Sequence, residues 1–555
     1  MKNLSKKHYY VVAFFLLAVM FAESLFAMTS YSITADETTH IGSSYYYWKA
    51  YLKGGNVTLQ MDNPPLTRII SGFPLLILDL NYPEGNWKDG TYNNSYRFGE
   101  HLLYKIGNDT EAILFFSRLP IIILSLILGY SIFLFASKIY DYRAGIFALF
   151  LYVFEPTIIG HNSLFTTDMA VTAFMLFTIF ALWRFVVNPD YKNAVIVGVF
   201  FVLSLMTKLT ALFLVPIIFL LLVIFTYKKL LKSRQALALI IILIVLSLVL
   251  INSFYLFRGF GKALTDNIGK DRIERRIADN PLKPIILAVV DVPMPLPESY
   301  ILGLSDQILH QLSGYPAFLL GEYSRLGWWY YFPAAFVLKI SVFLLIFISF
   351  SMFIFYKKGF EKGNARIAEY MAIAFITIFF AINLFSHIDL GVRILLPVFP
   401  FIILLCSKPV KYIRHHHVYV ILALLYVASS LLASPNYISF FNEVIGSENG
   451  YMYLSGSNID WGQDVKNAFL WLREHGINEI SYRVQGSSSV PYYAGKYNIT
   501  ATELKTCTPA QGYIVISSDM YIDVHNLDGN HSCFNWVKKH ELITRIGHSI
   551  FVFKV

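Results

Sequence analysis

The chain has 555 residues, of which 56% are hydrophobic and only 15% charged, and its mean hydropathy is +0.54. Soluble domains run at about 45–50% apolar and about 25% charged, so this composition excludes a water-soluble enzyme, a disordered chain and a fibrous repeat. Lysine and arginine outnumber aspartate and glutamate by 45 to 36, a net charge of +9. In a membrane protein such an excess sits in cytoplasmic loops, and no nucleic-acid partner is expected.

A membrane span needs about 20 apolar residues. In chain order, apolar runs predict spans at 11–29, 113–135, 144–159, 169–187, 194–206, 209–225, 237–256, 332–355, 368–385, 394–406 and 418–432, about 11 in all. The first lacks a clean small-x-small cleavage site and reads as a retained anchor rather than a signal peptide. With Lys2, Lys6 and Lys7 in the cytoplasm, the alternate loops carry Lys138/Arg143, Arg184/Lys192, Lys228/Lys229/Lys232/Arg234, Lys357/Lys358/Lys362/Arg366 and Lys408/Lys411/Arg414. Each is short and basic, as the positive-inside rule requires. The expectation is a multi-pass plasma-membrane protein, N-terminus cytoplasmic and C-terminal part extracytoplasmic. The short inside loops leave no room for a nucleotide-binding domain. No GxxxxGK[ST] string occurs, which argues against an ATP-driven pump.

The predicted architecture is a polytopic helical domain over 1–432 and a small extracytoplasmic α/β domain over 433–555. The first has long external loops at 31–112, with interfacial helices, and at 257–331. The second carries a helix near 465–475 and strands near 479–484, 512–517 and 548–553. Cys507 and Cys533 fall in this domain, where oxidation is permitted, and are either disulfide-bonded or two buried thiols. Cys406 packs inside a span.

The informative polar groups lie in the external loops. Asp36-Glu37 follows the first span and precedes the aromatic run Tyr45-Tyr46-Tyr47-Trp48. Paired acids at a membrane surface can supply a general base and an orienting partner; the plain alternative is helix capping by Asp36 with Glu37 in the first turn. Met61-Asp62-Asn63-Pro64-Pro65-Leu66-Thr67-Arg68 opens an apolar helix with a cation in its first turn. His161-Asn162-Ser163 and Thr166-Thr167-Asp168 precede the fourth span, and Lys208 is a charge inside an apolar hairpin. Arg393 stands at the mouth of a span, and its fork matches phosphate oxygens. Asp460, Trp461 and Gln463 lie in the polar string 457–464, which either faces substrate or caps and packs the following helix.

In this order, the strings resemble the dolichyl-phosphate-mannose–protein mannosyltransferase-like superfamily of GT-C membrane glycosyltransferases. The resemblance is carried by Asp36-Glu37-Thr38-Thr39-His40, Asp62-Asn63-Pro64-Pro65-Leu66, Gly160-His161-Asn162-Ser163 with Asp168, and Thr207-Lys208. It continues through Gly391-Val392-Arg393 to Asn458-Ile459-Asp460-Trp461-Gly462-Gln463. The chain departs from the pattern at Asn63, where relatives carry His, and at Ile394, where an aromatic residue is usual. The resemblance implies inverting transfer of a sugar from a polyprenyl-phosphate donor to a protein, lipid or glycan acceptor. It makes Asp36 the base or acceptor-orienting group, with Glu37 beside it. Arg393, Lys208 and Arg68 would meet the donor phosphate, and His40, Asp62, His161 and Asp168 would orient the acceptor. No cofactor is required by the pattern; a divalent cation is compatible with Asp168, but no metal-ligand spacing is present. The competing reading is a transporter or flippase of lipid-linked sugars, which should place ionisable groups in mid-span or within inverted repeats.

Overall fold

A computed structural model describes residues 5–54, 63–85, 87, 92–263, 265, 271, 274, 283–412, 416–505, 507–525, 531 and 533–555. The chain starts with α1 (Lys6–Ser30), α2 (Glu37–Leu52), α3 (Leu66–Gly72) and α4 (Tyr92–Glu100). It then runs through α5 (Thr110–Ile139), α6 (Tyr142–Val153), α7 (Pro156–Asn162), α8 (Asp168–Val187), α9 (Tyr191–Leu205), α10 (Leu214–Tyr227) and α11 (Ser233–Phe254). Among the described residues, seven helices are long and apolar enough to cross a membrane, and two bent pairs raise the number to nine. The pairs are α6 with α7, bent by 64°, and Tyr331–Lys339 with Val342–Lys358, bent by 112°. The shorter apolar helices α9 and His417–Ala433 complete the series. Each of the expected apolar runs thus falls on a helix or a bent helix pair, and the protein is a multi-pass helical membrane protein.

Aspartates start several of these helices. Asp109 accepts from the Glu111 and Ala112 amides at α5, Asp141 from Ala144 at α6, and Asp190 from Asn193 at α9. Each satisfies backbone donors that the first turn would otherwise leave unpaired. α2 is buried along most of its length rather than lying on a surface. It crosses α4 at a glycine pair: a Cβ on Gly99 would stand 2.0 Å from the Thr38 carbonyl oxygen, and one on Gly42 2.7 Å from the Gly99 Cα.

After a small hairpin of β1 (Ala317–Leu319) and β2 (Glu322–Ser324), the C-terminal region forms a five-stranded sheet. Its strands are β3 (Glu479–Arg483), β4 (Thr500–Glu503), β5 (Tyr513–Ser517), β6 (Glu541–Ile546) and β7 (Ile550–Lys554), in the order β4-β3-β5-β7-β6. β3 runs parallel to β4 and β5, while β7 is antiparallel to β5 and β6. One face packs on the helix Val465–Glu474 through Val465, Phe469 and Leu472. The other covers Phe534 and Val537. The edge strands β4 and β6 are additions to the predicted set; both are largely exposed and carry little apolar alternation. Cys507 and Cys533 are joined in a disulfide, and Cys406 is buried and free.

The α2–α4 crossing yields a direct check. Gly99→Ala should lower stability by about 1–3 kcal/mol, because the added methyl meets backbone. Gly495→Ala, where a Cβ meets nothing within 4 Å, should leave the thermal midpoint in detergent unchanged or slightly raised.

Candidate functional site

The first turn of α2 sets the site. Asp36 precedes the helix but makes no capping hydrogen bond. Its Oδ2 instead accepts from Arg393 Nη1 at 2.7 Å. Arg393 lies in the tight turn Val392–Val398, and the same Nη1 is 3.6 Å from Asp168 Oδ2. Asp168 opens α8, and its Oδ1 accepts from Lys208 Nζ at 2.6 Å. Four charges from four separate segments therefore form one row, Lys208–Asp168–Arg393–Asp36, with no net formal charge. Asp36 is 35% exposed and Asp168 only 2%, so Asp36 is the carboxylate that an incoming molecule can reach. Arg393 Nε, Asp168 Oδ2 and His161 Nδ1 are buried and have no hydrogen-bond partner among the described residues.

The C-terminal segment closes this row from above. Trp461 lays its ring 4.3 Å from the Arg393 guanidinium carbon, a cation–π contact, and meets the His161 ring edge-on at 6.0 Å. The Trp461 carbonyl accepts from Ala35 N at 3.0 Å, and the Gln463 carbonyl from Ser32 N at 2.8 Å, so one loop braces the residues that present Asp36. On the opposite side, Asn458 Oδ1 accepts from Val392 N at 3.0 Å. Gly391 makes that clamp feasible. Its φ is +105°, and a Cβ there would stand 2.7 Å from Ser457 Oγ.

Asp460 and Gln463 do not extend to the charged row. Asp460 accepts from the Gly462 and Asp519 amides, and Gln463 bonds the Trp461 amide, the Ile459 carbonyl and Asp464. They shape the loop, and Trp461 alone of the three projects onto Arg393. Burial pushes the Asp460 carboxyl up to about 7, against hydrogen bonds that favour its charged form. Burial likewise raises Asp464 to about 6.

Glu37 is separated from Asp36 in role. It is fully buried and faces inward, where Arg118 clamps it with two bonds, Nε to Oε1 at 2.7 Å and Nη2 to Oε2 at 2.6 Å. Thr34 N and Phe165 N also donate to it. Burial works against its charge, but Arg118 and these hydrogen bonds outweigh burial and hold its carboxyl below the usual range. Glu37 is thus enclosed while Asp36 is partly exposed, so the two adjacent acids face different surroundings. Arg118 also donates to the Met28, Tyr31 and Ser32 carbonyls, stapling the end of α1 to the start of α2. Arg118 belongs to none of the motifs quoted above. Its signal is a guanidinium inside the apolar run 113–135, where a charge requires a partner.

The remaining expected residues take other positions. His40 is buried on α2, with its ring 5.7 Å from that of Phe165. Arg68 is buried on α3 and donates to the Asn63 carbonyl. Leu66 N bonds the Met206 carbonyl at 2.9 Å, tying α3 to the hairpin that holds Lys208. Asp62 lies outside the described residues. Tyr315, absent from the motif set, stands in the field of Asp36 and Arg393; its hydroxyl is pushed up by burial first and by Asp36 second. Among the described residues, no group of three or more His, Cys, Asp or Glu is placed to hold a metal ion.

Residues 101–252 match the family model described as dolichyl-phosphate-mannose-protein mannosyltransferase. That segment contains Arg118, His161, Asp168 and Lys208. No curated protein matches the chain. Among solved structures, it is similar to ArnT from Cupriavidus metallidurans bound to undecaprenyl phosphate, at 11% identity and a TM-score of 0.47, over 99% of this chain and 98% of that one. It is also similar to the apo oligosaccharyltransferase of Archaeoglobus fulgidus, at 11% identity and a TM-score of 0.47, over 95% of this chain and 71% of that one.

Two outcomes follow from this geometry. Arg118→Met leaves Glu37 buried without its partner and should cost about 3–5 kcal/mol, whereas Arg118→Met with Glu37→Gln should recover much of the loss; thermal unfolding of the four proteins of the cycle measures it. For Asp460, the folded value of about 7 lies above the unfolded value of about 3.9. The folded state therefore holds an extra proton between those values. The stabilisation is complete below about pH 4 and is lost as pH rises through about 7. Asp460→Asn should flatten the fall in stability across that window, as read from denaturation midpoints.

Proposed function

We propose that the protein is a membrane glycosyltransferase that moves a sugar from a polyprenyl-phosphate-linked donor to an acceptor hydroxyl on the extracytoplasmic face, with inversion. One observation carries this reading: Asp36, Arg393, Asp168 and Lys208 converge in one row at the ends of apolar helices. The mannosyltransferase family match over residues 101–252 supports it. The basic short loops on the opposite side support the orientation.

In this reading Asp36 is the general base. An acceptor hydroxyl is a weak nucleophile and must lose its proton as it attacks the anomeric carbon. Asp36 takes that proton, the new C–O bond forms, and the bond from the anomeric carbon to the phosphate oxygen breaks. The electron pair leaves on the polyprenyl phosphate, whose added negative charge is met by Arg393 and Lys208. Asp168 bonds Lys208 and stands against Arg393, positioning both. Trp461 holds the guanidinium in place. The pairs Arg118–Glu37 and Lys408–Glu369 are closed and fully buried. They therefore lend no support to a transport path.

The test is sugar transfer in membranes supplied with labelled polyprenyl-phosphate sugars. Asp36→Asn should lower transfer by about 100-fold or more, the usual scale of a lost general base. Arg393→Ala should mainly weaken donor binding. Full transfer by Asp36→Asn would defeat the mechanism.

A further inference from the structure

The row of charges has more carboxylate than its one shared cation can serve once a phosphate arrives. Arg393 Nη1 is the nitrogen that faces both Asp36, at 2.7 Å, and Asp168, at 3.6 Å. Arg393 Nε is buried and without a hydrogen-bond partner among the described residues. The row is neutral as it stands, so a bound phosphate diester adds an unbalanced negative charge. A phosphate that takes Arg393 Nη1 displaces one of the two carboxylates that this nitrogen faces. Asp168 is 2% exposed and fixed by Lys208 at 2.6 Å, and so cannot turn away. Asp36 is 35% exposed and makes no capping bond to its own helix, so its side chain is free to turn toward water. Arg393 itself stays in place, because the Trp461 ring lies against it at 4.3 Å.

Building on the transferase reading, we infer that Asp36 is masked by Arg393 in the empty site and is released when the donor phosphate takes the arginine over, so that donor binding precedes and enables acceptor activation. While Arg393 holds Asp36 Oδ2 at 2.7 Å, that oxygen is not open to an acceptor hydroxyl. Once the phosphate takes the guanidinium, Asp36 can turn to accept a hydrogen bond from the acceptor. The acceptor proton then passes to Asp36 only when a donor is present to be attacked. When the polyprenyl phosphate leaves, Asp36 turns back to Arg393 and the site is masked again.

The experiment is equilibrium binding of polyprenyl phosphate, without sugar, to the purified full-length protein and its variants in detergent. Asp36→Asn removes the competitor for Arg393. It should bind polyprenyl phosphate about three- to fivefold more tightly than the unaltered protein, the scale of a partly exposed ion pair. Asp36→Ala should do the same, which guards against an effect peculiar to one substitution. Arg393→Ala should bind several-fold more weakly. If Arg393→Ala weakens binding while both Asp36 variants bind at or below the unaltered affinity, the masking inference is overturned and the transferase reading stands. If the unaltered protein does not bind polyprenyl phosphate, or Arg393→Ala binds it equally well, the transferase reading fails and the inference with it.

Discussion

A carboxylate or guanidinium held among apolar helices has to find a partner, because the surroundings offer it no water. That constraint organises this protein at both ends of its helices. Lys408 and Glu369 are both fully buried and pair at 2.9 Å, with Tyr140 also donating to Glu369. Arg118 and Glu37 pair near the start of α2, where the arginine also collects the Met28 carbonyl of α1 and the Tyr31 and Ser32 carbonyls just after it. These closed pairs fix helix ends. The row Lys208–Asp168–Arg393–Asp36 obeys the same rule but is left open at Asp36, which is 35% exposed.

The arrangement needs both parts of the chain. The membrane helices supply the charges, but the loop 457–464 decides where two of them point. Trp461 covers Arg393 with its ring and holds Ala35 with its carbonyl. Asn458 fixes the turn that begins at Val392. The buried Asp460 and Asp464 keep that loop in shape, and burial holds both carboxyls above the usual range. A loop that braces Asp36 and Arg393 together links the C-terminal sheet to the charged row.

The apolar runs made the helices legible, since length and hydrophobicity alone decide whether a segment can cross a bilayer. Asp36, Asp168, Lys208 and Arg393 were legible as charges at helix ends, and the structure brings them together. The different surroundings of Asp36 and Glu37 were not. Adjacent residues at a helix start point in different directions, and which one faces in depends on Arg118, 81 positions away. Arg118 was visible as a charge in an apolar run but has no motif around it. β4 and β6 were hidden because exposed edge strands carry too little alternation to stand out. Asp460 and Gln463 looked like partners of Trp461, yet their bonds go to their own loop and to the Asp519 amide, not to the charged row.

The most direct measurement of the central claim is an experimental structure of the full chain with a polyprenyl-phosphate sugar bound. The account predicts the phosphate in hydrogen-bond contact with Arg393 and Lys208, the anomeric carbon facing Asp36, and the Asp36–Arg393 bond broken. A donor phosphate bound elsewhere, with that bond intact, would contradict it.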